Sequence, residues 1–204
     1  MNLKDQAIQN LKDFKQILDE LKIVFWLDGG TLLGAYRDGD FPPGDEDDID
    51  LCSWINYAPF IDGITAKAEA MGFEIYHKWK RQIAIKRGGS KIDLFFHEKK
   101  NHESFHFLYK RVPEDYGGKG IFELEKNGMS WLCIPAVVPA HFFEELTKID
   151  FFGMRFNCPR DAEKYFELKY GADWKTPITR DEYFKRGGCY DPNVNKVLRP
   201  DYEI

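Results

Sequence analysis

Residues 48–51 read Asp-Ile-Asp-Leu, and residues 91–95 read Lys-Ile-Asp-Leu-Phe. This alternation of acid and aliphatic is the strongest constraint in the chain. In a strand, side chains at i and i+2 share a face, so Asp48 and Asp50 project together while Ile49 and Leu51 enter a core. Asp93 sits among Ile92, Leu94, Phe95 and Phe96. An ionised carboxylate there is costly unless it is paired or metal-bound. If the two strands are neighbours in register, Asp48, Asp50 and Asp93 converge on one spot. Such an oxygen set suits Mg²⁺ or Mn²⁺, which are usually shared with substrate phosphates. The plain alternatives are a solvated acidic loop at 48–50 and a salt bridge from Asp93 to Lys86 or Lys91.

The upstream stretch, residues 28–51, reads DGGTLLGAYRDGDFPPGDEDDIDL, with seven acidic side chains between Asp38 and Asp50. Crowded carboxylates raise one another's pKa unless a cation or solvent relieves them. Gly29 and Gly30 allow a tight turn and close approach of a phosphate, and a helix from Thr31 adds its positive end. Gly29, Gly30 and Thr31 are therefore the candidate phosphate cradle, and Asp28 either orients the glycine loop or, the first reading, caps that helix. Arg37 is either a further phosphate contact or an ordinary surface arginine. Asp45, Glu46 and Asp47 read as solvated or outlying groups. A phosphate cradle beside a divalent ion is the equipment for moving a phosphoryl or nucleotidyl group.

Hydrophobic periodicity predicts helices over 3–21, 31–37, 57–71, 139–146 and 159–171. Strands are expected over 23–27, 48–53, 73–79, 82–86, 91–97, 104–110, 130–134 and 151–158, with a hairpin turn at 87–90. The fold class is α/β (α+β): a mixed β-sheet flanked by helices, with a C-terminal helical extension. With 204 residues, 43% hydrophobic and 16% aromatic, one domain with a sizeable core is expected. Its core spans about residues 20–112 and its extension about 135–204. The net charge of −5 gives no global basic field, so bulk nucleic-acid binding is not expected. No stretch has the length and apolarity of a membrane span or a signal peptide, so a cytoplasmic protein is expected. Cys52, Cys133, Cys158 and Cys189 lack metal-ligand spacing and read as free thiols.

Gly-Gly, a short helix, Asp-Ile-Asp on one strand and a later isolated Asp together resemble the nucleotidyltransferase-fold superfamily. Within it, residues 28–51 closely resemble the signature of the LicD/fukutin-related family, and residues 158–177, CPRDAEKYFELKYGADWKTP, resemble that family's C-terminal segment. Gly44 stands where the family commonly has Trp, so only Asp48 and Asp50 align cleanly. The resemblance implies a phosphotransferase that passes phosphocholine or a polyol phosphate from a CDP carrier to a glycan hydroxyl, releasing CMP. It implies a CDP-alcohol and a glycan or glycolipid as partners, the latter met at a membrane surface if lipid-linked. Two other readings stay open at this level. One is a nucleotidyltransferase moving NMP from an NTP to a small molecule, protein or RNA end. The other is a non-catalytic nucleotide- or metal-binding adaptor.

Overall fold

The computed structural model describes residues 2–111, 122–126, 129–179 and 182–183, with side chains set aside at 108–111, 122–126 and 129–135. The expectations for Cys189 and the chain end, and for the side chain of Cys133, therefore fall outside what is described; Cys52 and Cys158 are free and buried.

Helix α1 (Leu3–Glu20) opens with Asn2, whose side chain accepts from the Asp5 amide. Its buried stripe of Ala7, Leu11, Phe14, Ile17 and Leu18 follows the expected helical spacing. Strand β1 (Phe25–Leu27) leads into α2 (Gly29–Arg37), and β2 (Asp48–Trp54) returns antiparallel to β1. A 3-10 turn (Ile55–Phe60) precedes α3 (Ile61–Ala70). The helix expected from residue 57 thus starts later, because Pro59 lacks an N–H and disfavours helical geometry at Ala58.

Strands β3 (Glu74–Trp79), β4 (Gln82–Arg87), β5 (Ser90–Lys100), β6 (Glu103–Arg111), β7 (Phe122–Lys126) and β8 (Met129–Pro139) complete the main sheet. The order is β1-β2-β5-β6-β8-β7, with β4 also paired to β5, and β3 to β4. β5 is the organising strand. Its first part lies between β2 and β4, and its last residues pair with β6. The β2–β5 pairing is parallel and the others in this sheet are antiparallel, so the sheet is mixed as expected.

Two expected elements differ. The helix over 139–146 is one turn, α4 (His141–Glu144), between β8 and β9. It delivers Phe142 and Phe143 inward, and Phe143 stacks on Trp26 at 5.0 Å, so aromatic packing replaces helical periodicity. The strand over 151–158 is a hairpin of β9 (Leu146–Phe151) and β10 (Met154–Pro159). Phe152 and Gly153 turn it with φ of 48° and 74°, the double positive φ of a tight two-residue hairpin. Helix α5 (Ala162–Tyr170) ends at Gly171 and buries Tyr165 and Phe166; Trp174, just beyond it, is buried as well. The C-terminal part is therefore a hairpin followed by a helix.

Ile49, Leu51, Leu94 and Phe96 are fully buried beneath the acidic positions of β2 and β5. Each such side chain contributes roughly 1.5–3 kcal/mol relative to exposure. That apolar underside fixes which face of these strands carries the carboxylates.

Candidate functional site

The parallel register of β2 and β5 sets Asp48 opposite Lys91, Ile49 opposite Ile92, Asp50 opposite Asp93 and Leu51 opposite Leu94. Paired residues in a sheet share a face, so four charged side chains point to one side and four aliphatic ones to the other. One carboxylate oxygen each from Asp48, Asp50 and Asp93 lies within 4.8 Å of the other two. The three candidates picked from two separate stretches of sequence are thus brought together in space.

Their surroundings confine them. Burial, then Asp48 and Asp93, push the Asp50 carboxyl well above the usual carboxylate range. Burial also raises Asp93, against the pull of Lys91. Lys91 Nζ lies 2.6 Å from Asp93 Oδ2 and 3.0 Å from Asp48 Oδ1. Burial opposes its charge, but Asp93 and then Asp48 more than offset this and hold it above the usual lysine range. Gln82 Nε2 donates to the other oxygen of Asp93 at 3.0 Å. A cation is therefore already lodged among the carboxylates, and it is a lysine from the sheet itself.

The glycine turn closes the site from the other side. Asp28 N donates to Asp50 O at 3.1 Å, and Asp50 N donates to Thr31 Oγ1 at 2.9 Å. Two hydrogen bonds thus tie the start of α2 to the middle of β2. Gly29 has φ of +57°, and a Cβ placed there would fall 2.0 Å from Asp50 Oδ2. Only glycine combines that backbone with a carboxylate pressed against it. A Cβ on Gly30 would meet Asp45 Oδ2 at 2.2 Å, so Asp45 also borders the turn.

Thr31 is fully buried, its hydroxyl spent on the Asp50 amide. What it offers a phosphate is a backbone amide at the first turn of α2, not its side chain. Arg37 lies at the opposite end of α2 from the glycines. Its guanidinium pairs with Asp38 at 2.7 Å and donates to the Trp174 carbonyl at 3.3 Å, joining α2 to the turn after α5.

Asp28 departs from the capping role. It makes no side-chain cap on α2. Its carboxylate turns inward and accepts from the Tyr165 hydroxyl at 2.6 Å, Lys169 Nζ at 2.9 Å and Cys52 Sγ at 3.2 Å. Burial alone would raise its pKa, but the Lys169 ammonium, aided by His106, His97 and the Tyr165 hydroxyl, holds it well below the usual range. His97 and His106 lie alongside, ring centroids 4.3 Å apart, and His97 Nδ1 meets Ser104 Oγ at 2.8 Å. Asp28, Cys52 and His97 also place one ligand atom each within 4.8 Å of the others. There, however, the carboxylate is already balanced by a buried ammonium and two further donors, so the arrangement is that of a structural nest under the glycine turn.

The sequence reading assigned no role to Gln82, Lys169 or the histidines. Lys169 follows Tyr165 by four residues, one helical turn, which is the signal that both share a face. The i, i+2 rule that joined Asp48 to Asp50 also joins Lys91 to Asp93. His97 and His106 meet across the β5–β6 hairpin, one position beyond the Glu98–Phe105 pair, so their spacing carries a signal only once the turn between these strands is placed.

Residues 22–161 match the family described as LicD/FKTN/FKRP, nucleotidyltransferase domain. An uncharacterized protein of Rickettsia typhi, RT0683, is 30% identical over 108 residues, covering 53% of this chain and 34% of its own. The mouse ribitol-5-phosphate transferase FKTN is 26% identical, covering 87% of this chain and 35% of its own. The human ribitol 5-phosphate transferase FKRP is 27% identical, covering 76% and 29%. The chain therefore spans about a third of the length of these curated relatives. Two solved structures of the antibiotic-resistance factor ANT(2'')-Ia overlay with TM-scores of 0.44 and 0.46. They are 14% and 16% identical and cover 89% and 96% of this chain, and 84% and 90% of their own.

Proposed function

The chain belongs to the LicD/FKTN/FKRP nucleotidyltransferase-domain family, and from that membership we propose that it is a metal-dependent phosphotransferase. It moves a phospho-alcohol from a CDP-activated donor to a glycan hydroxyl and releases CMP. The observation that carries this reading is the convergence of Asp48, Asp50 and Asp93 within 4.8 Å, directly against the Gly29 turn. The choice of a phospho-alcohol is supported by relatives named as ribitol-5-phosphate transferases. A glycolipid acceptor, met by a cytosolic protein at a membrane surface, is part of the same proposal. Among the described residues, no helix is long and apolar enough to cross a membrane.

The residues fit a hard divalent cation. Three carboxylate oxygens face one point, and the Lys91 ammonium shows that a positive charge is held there. Asp48, Asp50 and Asp93 would hold Mg²⁺ or Mn²⁺, which when bound neutralises phosphate oxygens and favours the leaving phosphate.

The remaining work falls to the chain. Backbone amides at Gly29, Gly30 and Thr31, with the positive end of α2, receive the donor's diphosphate. The acceptor oxygen attacks the phosphorus that bears the alcohol, and the bond from that phosphorus to the bridging oxygen of CMP breaks. The hydroxyl proton passes to a carboxylate of the trio acting as base. Positioning and charge neutralisation supply most of the acceleration, with no covalent enzyme intermediate.

The test is CMP release from CDP-ribitol or CDP-choline with Mg²⁺ and a glycan acceptor. Asp50→Asn is expected to lose at least about a hundredfold in turnover. Undiminished release, or pyrophosphate release from an NTP in place of CMP release, would overturn the reading.

A further inference from the structure

We propose that Lys91 is a resident counter-ion of the carboxylate trio, which yields its place to the divalent ion and then pairs with the donor's diphosphate. The inference rests on the phosphotransferase reading for the identity of the donor, and on geometry for the exchange itself.

Lys91 stands directly across the parallel pair from Asp48 and two residues before Asp93 on the same strand face. Its ammonium touches both, at 3.0 and 2.6 Å. Without it, three carboxylates within 4.8 Å of one another would lose the ammonium that pairs with two of them. Asp93 keeps its orientation independently, because Gln82 Nε2 holds the oxygen that Lys91 does not. The lysine therefore neutralises the cluster and is not needed to shape it.

The ammonium and a divalent ion would compete for these oxygens. A divalent ion bound by Asp48 and Asp93 would lie beside the ammonium, and that repulsion expels the lysine. Its side chain is 27% exposed and that of Asp48 is 29% exposed, so both border solvent. Lys86, its cross-strand neighbour, is directed elsewhere, with its Nζ over the Tyr76 ring at 3.5 Å. A lysine on a four-carbon stem is a mobile point charge suited to phosphate. The released ammonium meets the diphosphate delivered to the glycine turn, on the same face of the sheet.

The exchange makes metal and donor cooperative. Metal alone must detach Lys91 without a new partner for it, whereas donor supplies that partner, so each ligand strengthens the other by the same factor.

The experiment is titration calorimetry of the full chain with Mn²⁺, with and without CDP, on wild type, Lys91→Met and Lys91→Arg. In wild type, CDP is expected to tighten Mn²⁺ binding about tenfold. In Lys91→Met, Mn²⁺ alone is expected to bind about tenfold more tightly than in wild type, and CDP to add little. Lys91→Arg keeps the charge and is expected to retain weak metal binding, which guards against misreading a folding defect. A purely structural lysine gives the opposite sign: its loss would weaken Mn²⁺ binding. Lys91→Met binding Mn²⁺ no more tightly than wild type overturns the proposal. If the exchange is seen while no CDP-alcohol yields CMP, the counter-ion stands and the phosphotransferase reading fails.

Discussion

The Tyr165 hydroxyl donates to Asp28 Oδ1 at 2.6 Å, joining two residues 137 positions apart. The contact bolts α5 to the strand end that launches the glycine turn. Lys169, one helical turn further, completes the clamp with its ammonium on the same oxygen at 2.9 Å. Helix α5 thus supports the site, and its Lys169 ammonium also acts on the Asp50 carboxyl.

Removing parts of this clamp should cost stability unequally. Tyr165→Phe deletes one hydrogen bond to a buried charge, worth about 1.5–3 kcal/mol. Lys169→Met leaves the Asp28 carboxylate buried without its cation and is expected to cost about 3–5 kcal/mol. Urea unfolding measures both, and a larger loss for Tyr165→Phe would contradict the charge argument.

The same nest sets a pH dependence. Burial pushes His106 down to about 4 and His97 well below its ordinary value. An unfolded histidine takes a proton near about 6.5, so between there and about 4 the unfolded chain binds more protons. Stability is therefore full above that window and falls as pH drops through it. Asp28, held low mainly by Lys169 against its burial, adds stability present above about 4 and lost in stronger acid. The urea midpoint should be lower at pH 5 than at pH 7, and His106→Phe should narrow the gap. Equal midpoints in wild type would refute this.

Gly29→Ala places a methyl 2.0 Å from Asp50 Oδ2 on a backbone with φ of +57°. Either the turn or the carboxylate must shift, and misplacement on the order of 1 Å commonly costs about a hundredfold in rate. Turnover in the CMP-release assay is expected to fall by about that factor. Full activity would mean that the turn and Asp50 do not work as a unit.

Arg87 stitches α1 and the end of α3 to the sheet. It pairs with Asp13, donates to Asn10 Oδ1 at 2.8 Å and to the Met71 carbonyl at 2.7 Å, and lies over the Phe73 ring at 4.1 Å. Arg87→Met is expected to cost about 2 kcal/mol in urea unfolding, with Mn²⁺ affinity unchanged.

Cys52 is fully buried with its thiol pushed well up by burial, and Cys158 is pushed up to about 11 for the same reason. Thiolate is the reactive form. Neither should label with iodoacetamide at pH 8 in the folded protein, and both should label in denaturant, as read by peptide mass.

The sequence made the acidic face legible because strand alternation is local: Ile49 and Leu51 dictate where Asp48 and Asp50 point. The meeting with Asp93 was conditional on a parallel pairing that no local signal announces. The choice between capping and orienting the turn at Asp28 stays open in the sequence for a similar reason. A carboxylate before a helix is ordinarily a cap, and only the arrival of Tyr165 and Lys169 from α5 turns it inward. The hairpin at Phe152-Gly153 had a visible marker in its glycine. The flanking apolar run hid it, since one buried strand and two short ones share that composition.

The in-register pairing of β2 with β5 has one more consequence. Sliding β5 by a single position would thrust Asp93 into the oily layer and lift Ile92 or Leu94 into water. The energetic barrier to that error is the same hydrophobic packing that lets the chain fold at all. The distance between the two carboxylate-bearing positions is therefore not a delicate adjustment made last; it is guaranteed as soon as the sheet exists.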